Sequence, residues 1–189
     1  MRLRRPRVLM AGMNYSGIIG SDIANGAGVR VSLFVSGCTH HCRGCFNEST
    51  WDFAAGRPFT SATEDFLLAQ LDHPWVAGLS LLGGEPMEPA NQRVLAPFLR
   101  RVRERLPGKS VWCWTGCVYE RDLAPSATGS RWRTEVTDAF LAEIDVLVDG
   151  PFVLDLKDVS LKFRGSSNQR ILARGADGVF AHAPHLEKR

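Results

Sequence analysis

The chain has 189 residues, 44% of them hydrophobic, which is typical of one globular domain that can bury a core without disulfides. Its formal charge is +3, from 23 basic and 20 acidic residues spread along the chain, so no nucleic-acid-binding surface is indicated. No apolar run approaches the roughly 20 residues of a membrane span, and the basic start is not followed by a signal-peptide core. We therefore expect a cytoplasmic protein that binds neither nucleic acid nor membrane, in which the five cysteines serve metal or redox chemistry.

Strands are predicted at four apolar runs that are rich in β-branched residues. These runs are 29–37, 76–84, 110–116 and 144–150. They are continuously apolar rather than alternating, as expected of strands in a parallel sheet that is covered by helices. The predicted fold class is therefore α/β.

Three helices are predicted between these strands. Ser61 and Glu64 form an S-x-x-E capping box at the start of the first helix. The second has apolar side chains three or four residues apart from Val94 to Leu106, a stripe that would pack on a sheet. The third covers 134–144, directly before the last strand.

The domain boundaries are predicted from where these patterns begin and end. Residues 1–12 are expected to be a ragged N-terminal extension, because Met10 or Met13 could also initiate the chain. Residues 13–170 are expected to form the one domain. Residues 171–189 are expected to be a weakly ordered tail.

Each distinctive motif directly follows one of the predicted strands. A group of cysteines follows the first strand, "GGEP" ends the second, "WTG" ends the third and "DG" ends the fourth. Ligands of parallel α/β folds bind at the carboxyl ends of the strands. The four loops are therefore predicted to surround one site.

Cys38, Cys42 and Cys45 form a C-x3-C-x2-C array after the first strand. Zinc would need a fourth ligand, His40 or His41, but both lie inside the cysteine loop, where closing a tetrahedron is difficult. A [4Fe–4S] cluster is normally held by four thiolates, so three would leave one iron open to a ligand that is not protein. An open iron would be useful if a substrate has to bind it.

The cysteine array and the glycine-rich acidic loop after the second strand together resemble the radical S-adenosylmethionine (SAM) superfamily. Further segments resemble one family within it, the activating proteins of anaerobic ribonucleoside-triphosphate reductases. These segments are "NGAGVR", "LLGGEP", "WCWTG", "DVLVDGPF" and "RGSSNQR", and the similarity covers 13–170, which would be the radical SAM activase domain. The resemblance implies an incomplete (β/α) barrel of the radical SAM type.

The resemblance also implies which residues hold the cofactors. The ligands of a [4Fe–4S] cluster with an open iron would be Cys38, Cys42 and Cys45. The residues that bind the cofactors would be Gly44, Cys45, Phe46, Gly83, Gly84, Glu85 and Asp149.

These assignments differ in how strongly the residues themselves suggest them. Gly83 and Gly84 would let the backbone come close to the amino group of SAM, where a Cβ would obstruct it. Phe46 would pack on the adenine or the cluster, although a core phenylalanine is the simpler account. Asp149 could face SAM or the partner's glycine, or belong to an ordinary Asp-Gly turn.

The implied activity is that of an oxidoreductase that activates another enzyme. Reduced flavodoxin or ferredoxin would give an electron to the cluster, which would cleave SAM into methionine and a 5′-deoxyadenosyl radical. That radical would take a hydrogen atom from one glycine of the large reductase subunit. The cofactors carry this chemistry, so no general acid or base residue is expected.

Three other functions remain possible from the sequence. The chain could activate another glycyl-radical enzyme such as pyruvate formate-lyase, or act on a small molecule as a radical SAM enzyme. It could also be a non-catalytic iron–sulfur or zinc module, against which the "GGEP" loop argues. Cys113 and Cys117 are expected to be core or loop thiols rather than a second metal site.

Overall fold

The computed structural model describes residues 12–187. In chain order its strands and α-helices are β1 (Asn14–Asp22), β2 (Val29–Val35), β3 (Arg57–Pro58), α1 (Ser61–Leu71), β4 (Val76–Gly83), α2 (Pro89–Arg105), β5 (Ser110–Trp114), α3 (Thr137–Leu141), β6 (Val146–Asp149), β7 (Arg170–Arg174) and β8 (Phe180–His182). Shorter helical turns are Glu48–Thr50, Tyr119–Leu123, Leu154–Leu156 and Pro184–Leu186. The predicted N-terminal extension lies outside the described residues, apart from Gly12.

A single sheet of eight strands runs through the molecule in the order β3-β1-β2-β4-β5-β6-β7-β8. Its centre consists of β2, β4, β5 and β6, which pair in parallel and correspond to the four predicted strands. Their register places buried side chains in one row across five strands: Leu33, Leu81, Cys113, Leu147 and Leu172. The α/β class and the parallel centre are therefore confirmed.

The sheet as a whole is mixed, so the prediction of a parallel sheet is wrong beyond its centre. Four pairings are antiparallel and three are parallel. β1 and β3 add one antiparallel edge, and β7 and β8 add the other. These strands escaped prediction because they are short or only half buried, and such strands lack a continuous apolar run.

The expectation of a weakly ordered tail at 171–189 is corrected as far as residue 187. β7 pairs with the whole length of β6, from Arg170 opposite Asp149 to Ala173 opposite Val146. β8 then pairs back on β7. Ile171 and Leu172 are buried, so this segment completes the core instead of leaving it.

The helices cover one face of the sheet. Leu67 and Leu71 of α1 and Leu95, Phe98 and Leu99 of α2 are buried in one cluster, which also includes the helix-side residues of the central strands. α1 is capped by Thr60 and Thr63, one residue before the predicted Ser61 and Glu64 box. Thr60 takes the cap because its backbone is extended, while Ser61 is already helical.

The opposite face of the sheet carries no α-helix among the described residues. Phe34, Leu82 and Trp114 point to this face, since side chains alternate along a strand and their neighbours Val35, Leu81 and Cys113 belong to the helix-side core. None of the helices within residues 12–187 is long and apolar enough to cross a lipid bilayer.

Candidate metal and cofactor site

A cavity of about 450 Å³ opens at the carboxyl ends of the central strands. This volume lies within the range of small-molecule sites, about 300–1,000 Å³. Among the predicted site residues, those that line it are Cys38, Cys42, Cys45, Phe46, Gly83, Gly84 and Glu85. The two predicted residues that do not line it are Gly44 and Asp149.

The cysteine loop leaves β2 through a glycine turn and is tied back to the chain that follows it. Gly37 has a φ of +93°, and a Cβ there would lie 2.3 Å from the Phe53 ring. The backbone N–H of Cys38 donates to the Trp51 carbonyl (3.1 Å), and that of Gly37 donates to Thr50 (2.8 Å). The loop is therefore shaped by backbone contacts that do not involve the thiols.

All three residues between Cys38 and Cys42 are held by partners outside the loop. Thr39 donates from its hydroxyl to the Glu88 carboxylate (2.6 Å) and also donates its backbone N–H to it (2.7 Å). His40 Nε2 lies 2.9 Å from Glu85 Oε2. His41, with a φ of +49°, stacks on Trp51 at 4.5 Å between ring centroids. Both histidines thus have contacts other than a metal.

The positions of the three sulfur atoms disfavour a single zinc ion. Tetrahedral zinc with Zn–S bonds of about 2.3 Å would hold its sulfurs about 3.8 Å apart. The Cys38, Cys42 and Cys45 sulfurs do not all lie within 4.8 Å of one another. Ligands of a [4Fe–4S] cluster bind different irons and are spaced more widely, so the donor set fits a cluster better than one ion.

Burial raises the pKa of two thiols of this loop, Cys38 and Cys42. It raises the pKa of Cys38 to about 12, with a further contribution from the Glu85 carboxylate, against backbone hydrogen bonds from His40 and His41. Metal binding favours thiolates, so deprotonation of this loop would accompany binding of the metal.

Gly83 and Gly84 end β4 where the backbone is too crowded for a side chain. Gly83 has a φ of +104°, and a Cβ on it would lie 2.8 Å from the Phe34 Cα. A Cβ on Gly84 would lie 2.6 Å from the carbonyl oxygen of Gly37. The two glycines therefore allow this loop, called here the glycine loop (83–85), to pack directly on the start of the cysteine loop.

The Glu85 side chain is 1% exposed and accepts three hydrogen bonds. Oε1 accepts from the backbone N–H of Met87 (2.8 Å), and Oε2 accepts from the backbone N–H of Gly116 (2.8 Å) and from His40. The carboxylate thereby joins the loops that follow β2, β4 and β5. Although Glu85 contributes to the cavity wall, its oxygens are already occupied by protein donors.

Asp149 is completely buried, and the structure does not support a role in binding the cofactor. Its carboxylate accepts from Arg170 Nε (2.9 Å) and Nη2 (2.5 Å) and from the backbone N–H of Tyr119 (2.8 Å). Arg170 reaches it from β7, the neighbouring strand. The pattern of an Asp-Gly turn could not reveal this partner.

Phe46 and Gly44 lie at the rim beside the segment that follows β6. Phe46 is 63% exposed, packs on Phe152 and has the Lys157 ammonium 4.8 Å from its ring centre. Gly44 has a φ of +71°, and a Cβ on it would meet Leu154 at 2.9 Å. The prediction that Phe46 contacts adenine stays a prediction.

The segment 150–169 forms a wall that the sequence analysis did not assign. Its cavity-lining members are Gly150, Phe152, Leu161, Phe163, Arg164, Gly165 and Gln169. Gln169 organises this wall, because its Oε1 accepts from Gly165 (2.8 Å) and its Nε2 donates to the Gly150 carbonyl (3.0 Å). The "RGSSNQR" motif marked this segment, but its contacts depend on the tertiary structure.

Cys113 and Cys117 are both fully buried in the core on the helix side of the sheet. Burial raises the pKa of each thiol well above its ordinary value. Cys117 lies 3.9 Å from His40 Nε2, and with Glu85 these form the one group of three metal-ligand side chains found close together in residues 12–187. Hydrogen bonds among the protein groups account for this arrangement without a metal.

Residues 24–172 match a family model described as a 4Fe-4S single cluster domain. The anaerobic ribonucleoside-triphosphate reductase-activating protein of Escherichia coli K12 is 46% identical over 159 residues, covering 83% of this chain and 96% of that protein. The proteins of the same name from Pasteurella multocida and bacteriophage T4 are 45% and 38% identical, covering 84% and 90% of this chain and 96% and 99% of their own lengths. The chain belongs to the family of anaerobic ribonucleoside-triphosphate reductase-activating proteins.

Proposed function

We propose that this protein is a radical SAM activase that generates the glycyl radical of an anaerobic ribonucleoside-triphosphate reductase. The observation that carries the proposal is the convergence of three thiols and the glycine loop on one cavity. Family membership supports the same activity and the same target protein. The activase domain would begin at residue 13, as predicted, and would continue through β7 and β8, which complete the sheet.

Cys38, Cys42 and Cys45 would hold a [4Fe–4S] cluster. All three line the cavity, and thiolates are the ligands that such a cluster takes. A hydrogen bond from the backbone N–H of Asn47 to Cys45 Sγ (3.4 Å) would orient that ligand. With three protein ligands, one iron stays open to SAM.

The glycine loop would bind the methionyl end of SAM. Gly83 and Gly84 lack side chains at the cavity wall, so their backbone groups can come close to a ligand. Phe46, exposed at the rim, would pack on the adenine. These contacts would orient SAM in the cavity and exclude water from it.

When bound, the cluster supplies the electron that cleaves SAM, and the 5′-deoxyadenosyl radical produced takes a hydrogen atom from a glycine of the reductase. A low-potential donor such as reduced flavodoxin or ferredoxin would provide that electron. The protein itself contributes ligation, orientation and exclusion of solvent, so no acid or base residue is assigned.

We propose further that the central strands form part of an incomplete (β/α) barrel. Support comes from the parallel order of β2, β4, β5 and β6 and from the face of the sheet that carries no α-helix within residues 12–187. An open side of this kind would admit a polypeptide loop. That suits a protein substrate better than a small molecule.

The test is electron paramagnetic resonance of the anaerobically reconstituted, dithionite-reduced protein with and without SAM. We expect a [4Fe–4S]⁺ signal whose g-values move when SAM is added. Adding the large reductase subunit should then yield a glycyl radical and one 5′-deoxyadenosine per radical. Cys42→Ala is the control, since it should give no SAM-sensitive signal.

Two results would contradict the proposal. A cluster signal that SAM does not change would indicate an electron carrier, and bound zinc without a cluster would exclude radical chemistry. Radical formation on pyruvate formate-lyase but not on the ribonucleotide reductase would support the alternative activase function.

A further inference from the structure

From these contacts we infer that the His40–Glu85 pair fixes the cysteine loop against the glycine loop, and that Glu85 is a positioning residue rather than a SAM contact. This inference rests on the proposed function, because it concerns how the cluster ligands are held. The pair joins the two loops that would carry the cluster and SAM.

Three of the roughly four acceptor positions of the Glu85 carboxylate are filled by protein donors. It takes one hydrogen bond from its own loop at Met87, one from the loop after β5 at Gly116, and one from His40. Its side chain is 1% exposed, so replacing any of these donors by water would require the site to open. A contact between SAM and Oε2 would have to displace a protein donor that is already well placed.

Two neighbours confine the ring of His40. One face stacks on Trp132, with 4.5 Å between ring centroids and 19° between the planes. At Gly116 a Cβ would lie 2.7 Å from the His40 ring, so only glycine leaves room for it. Because Nε2 faces a carboxylate oxygen at 2.9 Å, that nitrogen carries the proton and donates it.

The position of His40 in the chain gives the pair its effect on the ligands. His40 lies two residues from both Cys38 and Cys42, so fixing its side chain fixes the backbone that separates these thiols. Glu88 holds the adjacent Thr39 in the same way. A loop ordered before the cluster arrives loses less conformational entropy when it ligates iron.

The experiment measures cluster loss from the reconstituted holoprotein. The wild type, His40→Ala, His40→Gln and His40→Ala with Glu85→Ala are loaded anaerobically. The decay of cluster absorbance is then followed after adding an iron chelator. SAM affinity is measured on the same samples from the SAM-induced change in the paramagnetic resonance signal. His73→Ala is the matched control, because His73 also stacks on a tryptophan, Trp75, but lies before β4 at the other end of the sheet.

His40→Ala should lose its cluster about 10- to 100-fold faster than the wild type, the usual cost of removing a partner that orients metal ligands. His40→Gln should restore most of the stability, since its amide N–H can donate to Glu85. The double variant should lose its cluster faster than His40→Ala, because Glu85→Ala also removes the acceptor of the Met87 and Gly116 backbone N–H groups. His73→Ala should match the wild type.

Wild-type rates in His40→Ala, or no rescue by His40→Gln, would overturn the inference. The same holds if the metal-free His40→Ala protein melts at a clearly lower temperature than the metal-free wild type, since that indicates a general loss of structure. Failure of the proposed function looks different, because the wild type itself would then hold no cluster or ignore SAM. Metal bound in excess of the cluster and lost in His40→Ala would instead show a metal site at His40, Glu85 and Cys117, and would also overturn the inference.

Discussion

The Arg170 guanidinium donates two hydrogen bonds to the completely buried Asp149 carboxylate, and so joins the end of β6 to the start of β7. The other edge of the same guanidinium contacts Glu120, whose side chain is 59% exposed. One arginine thus makes a buried and an exposed ion pair. The contrast allows the two to be compared directly.

Asp149→Ala should lower the free energy of unfolding by about 3 kcal/mol, because it leaves Arg170 and the Tyr119 N–H without their buried acceptor. Glu120→Gln is the matched control and should cost less than about 1 kcal/mol, since exposed pairs contribute little. Denaturant unfolding of both metal-free proteins measures the difference. If Asp149→Ala keeps its stability but loses SAM affinity, Asp149 is a cofactor contact after all.

Replacing a ligand cysteine should have a different effect from replacing a core cysteine. Cys38→Ala, Cys42→Ala and Cys45→Ala should each abolish SAM cleavage and lose the stable [4Fe–4S] signal, because two thiolates cannot hold the cluster. Cys113→Ala is the control, since its thiol lies on the helix side of the sheet. Iron and sulfide analysis with paramagnetic resonance distinguishes them. Cluster loss in Cys113→Ala alone would show that the ligands are assigned wrongly.

The glycine loop should not tolerate even a methyl group. Gly84→Ala places a Cβ 2.6 Å from the Gly37 carbonyl oxygen, so the loop has to move away from the cysteine loop. We expect at least about a tenfold loss of SAM affinity. The melting temperature should also fall, because overpacking lowers the free energy of unfolding by about 1–3 kcal/mol. Gly108→Ala is the control, because a Cβ there meets no atom within 4 Å. Equal affinities in the two variants would contradict the assigned packing.

Lowering the pH should reduce the free energy of unfolding, in part through protonation of Asp22. Burial alone would raise the pKa of Asp22, but hydrogen bonds from Ser32, Asn25 and Ala24 outweigh it and lower the pKa below its ordinary 3.8. The ionised Asp22 carboxylate therefore contributes its full stabilisation above pH 3.8, the ordinary pKa that applies to the unfolded chain. This contribution disappears as the pH falls through the lower pKa of the folded state.

Unfolding free energies measured from about pH 5 to about pH 2 should show this loss. The Asp22→Asn variant should be less stable than the wild type near the upper end of this pH range. Its free energy of unfolding should also change less with pH. Ser32→Ala removes one donor to Asp22 (2.6 Å) and should change the profile less, in the same direction. An unchanged slope in Asp22→Asn would mean that other carboxyl groups cause the acid dependence.

Local patterns were enough to predict the centre of the fold. The runs that became β2, β4, β5 and β6 are continuously apolar because most of their residues are buried, and this can be seen in any short window of sequence. The short strand β8 has only one buried residue, Phe180, and so escaped the same reasoning. Its place is set by pairing with β7, which no window of its own residues reveals.

Local features were enough to predict the candidate site, because the spacing of Cys38, Cys42 and Cys45 and the two glycines of the glycine loop are features that few other roles require. The contacts of the acidic residues, in contrast, depend on the tertiary structure. The carboxylates of Glu85, Glu88 and Asp149 pair with His40, Thr39 and Arg170, respectively. These partners come from other loops and strands. The physical reason is that a buried carboxylate needs hydrogen-bond donors, and the fold supplies them from residues distant in the sequence. A local motif does not identify those residues.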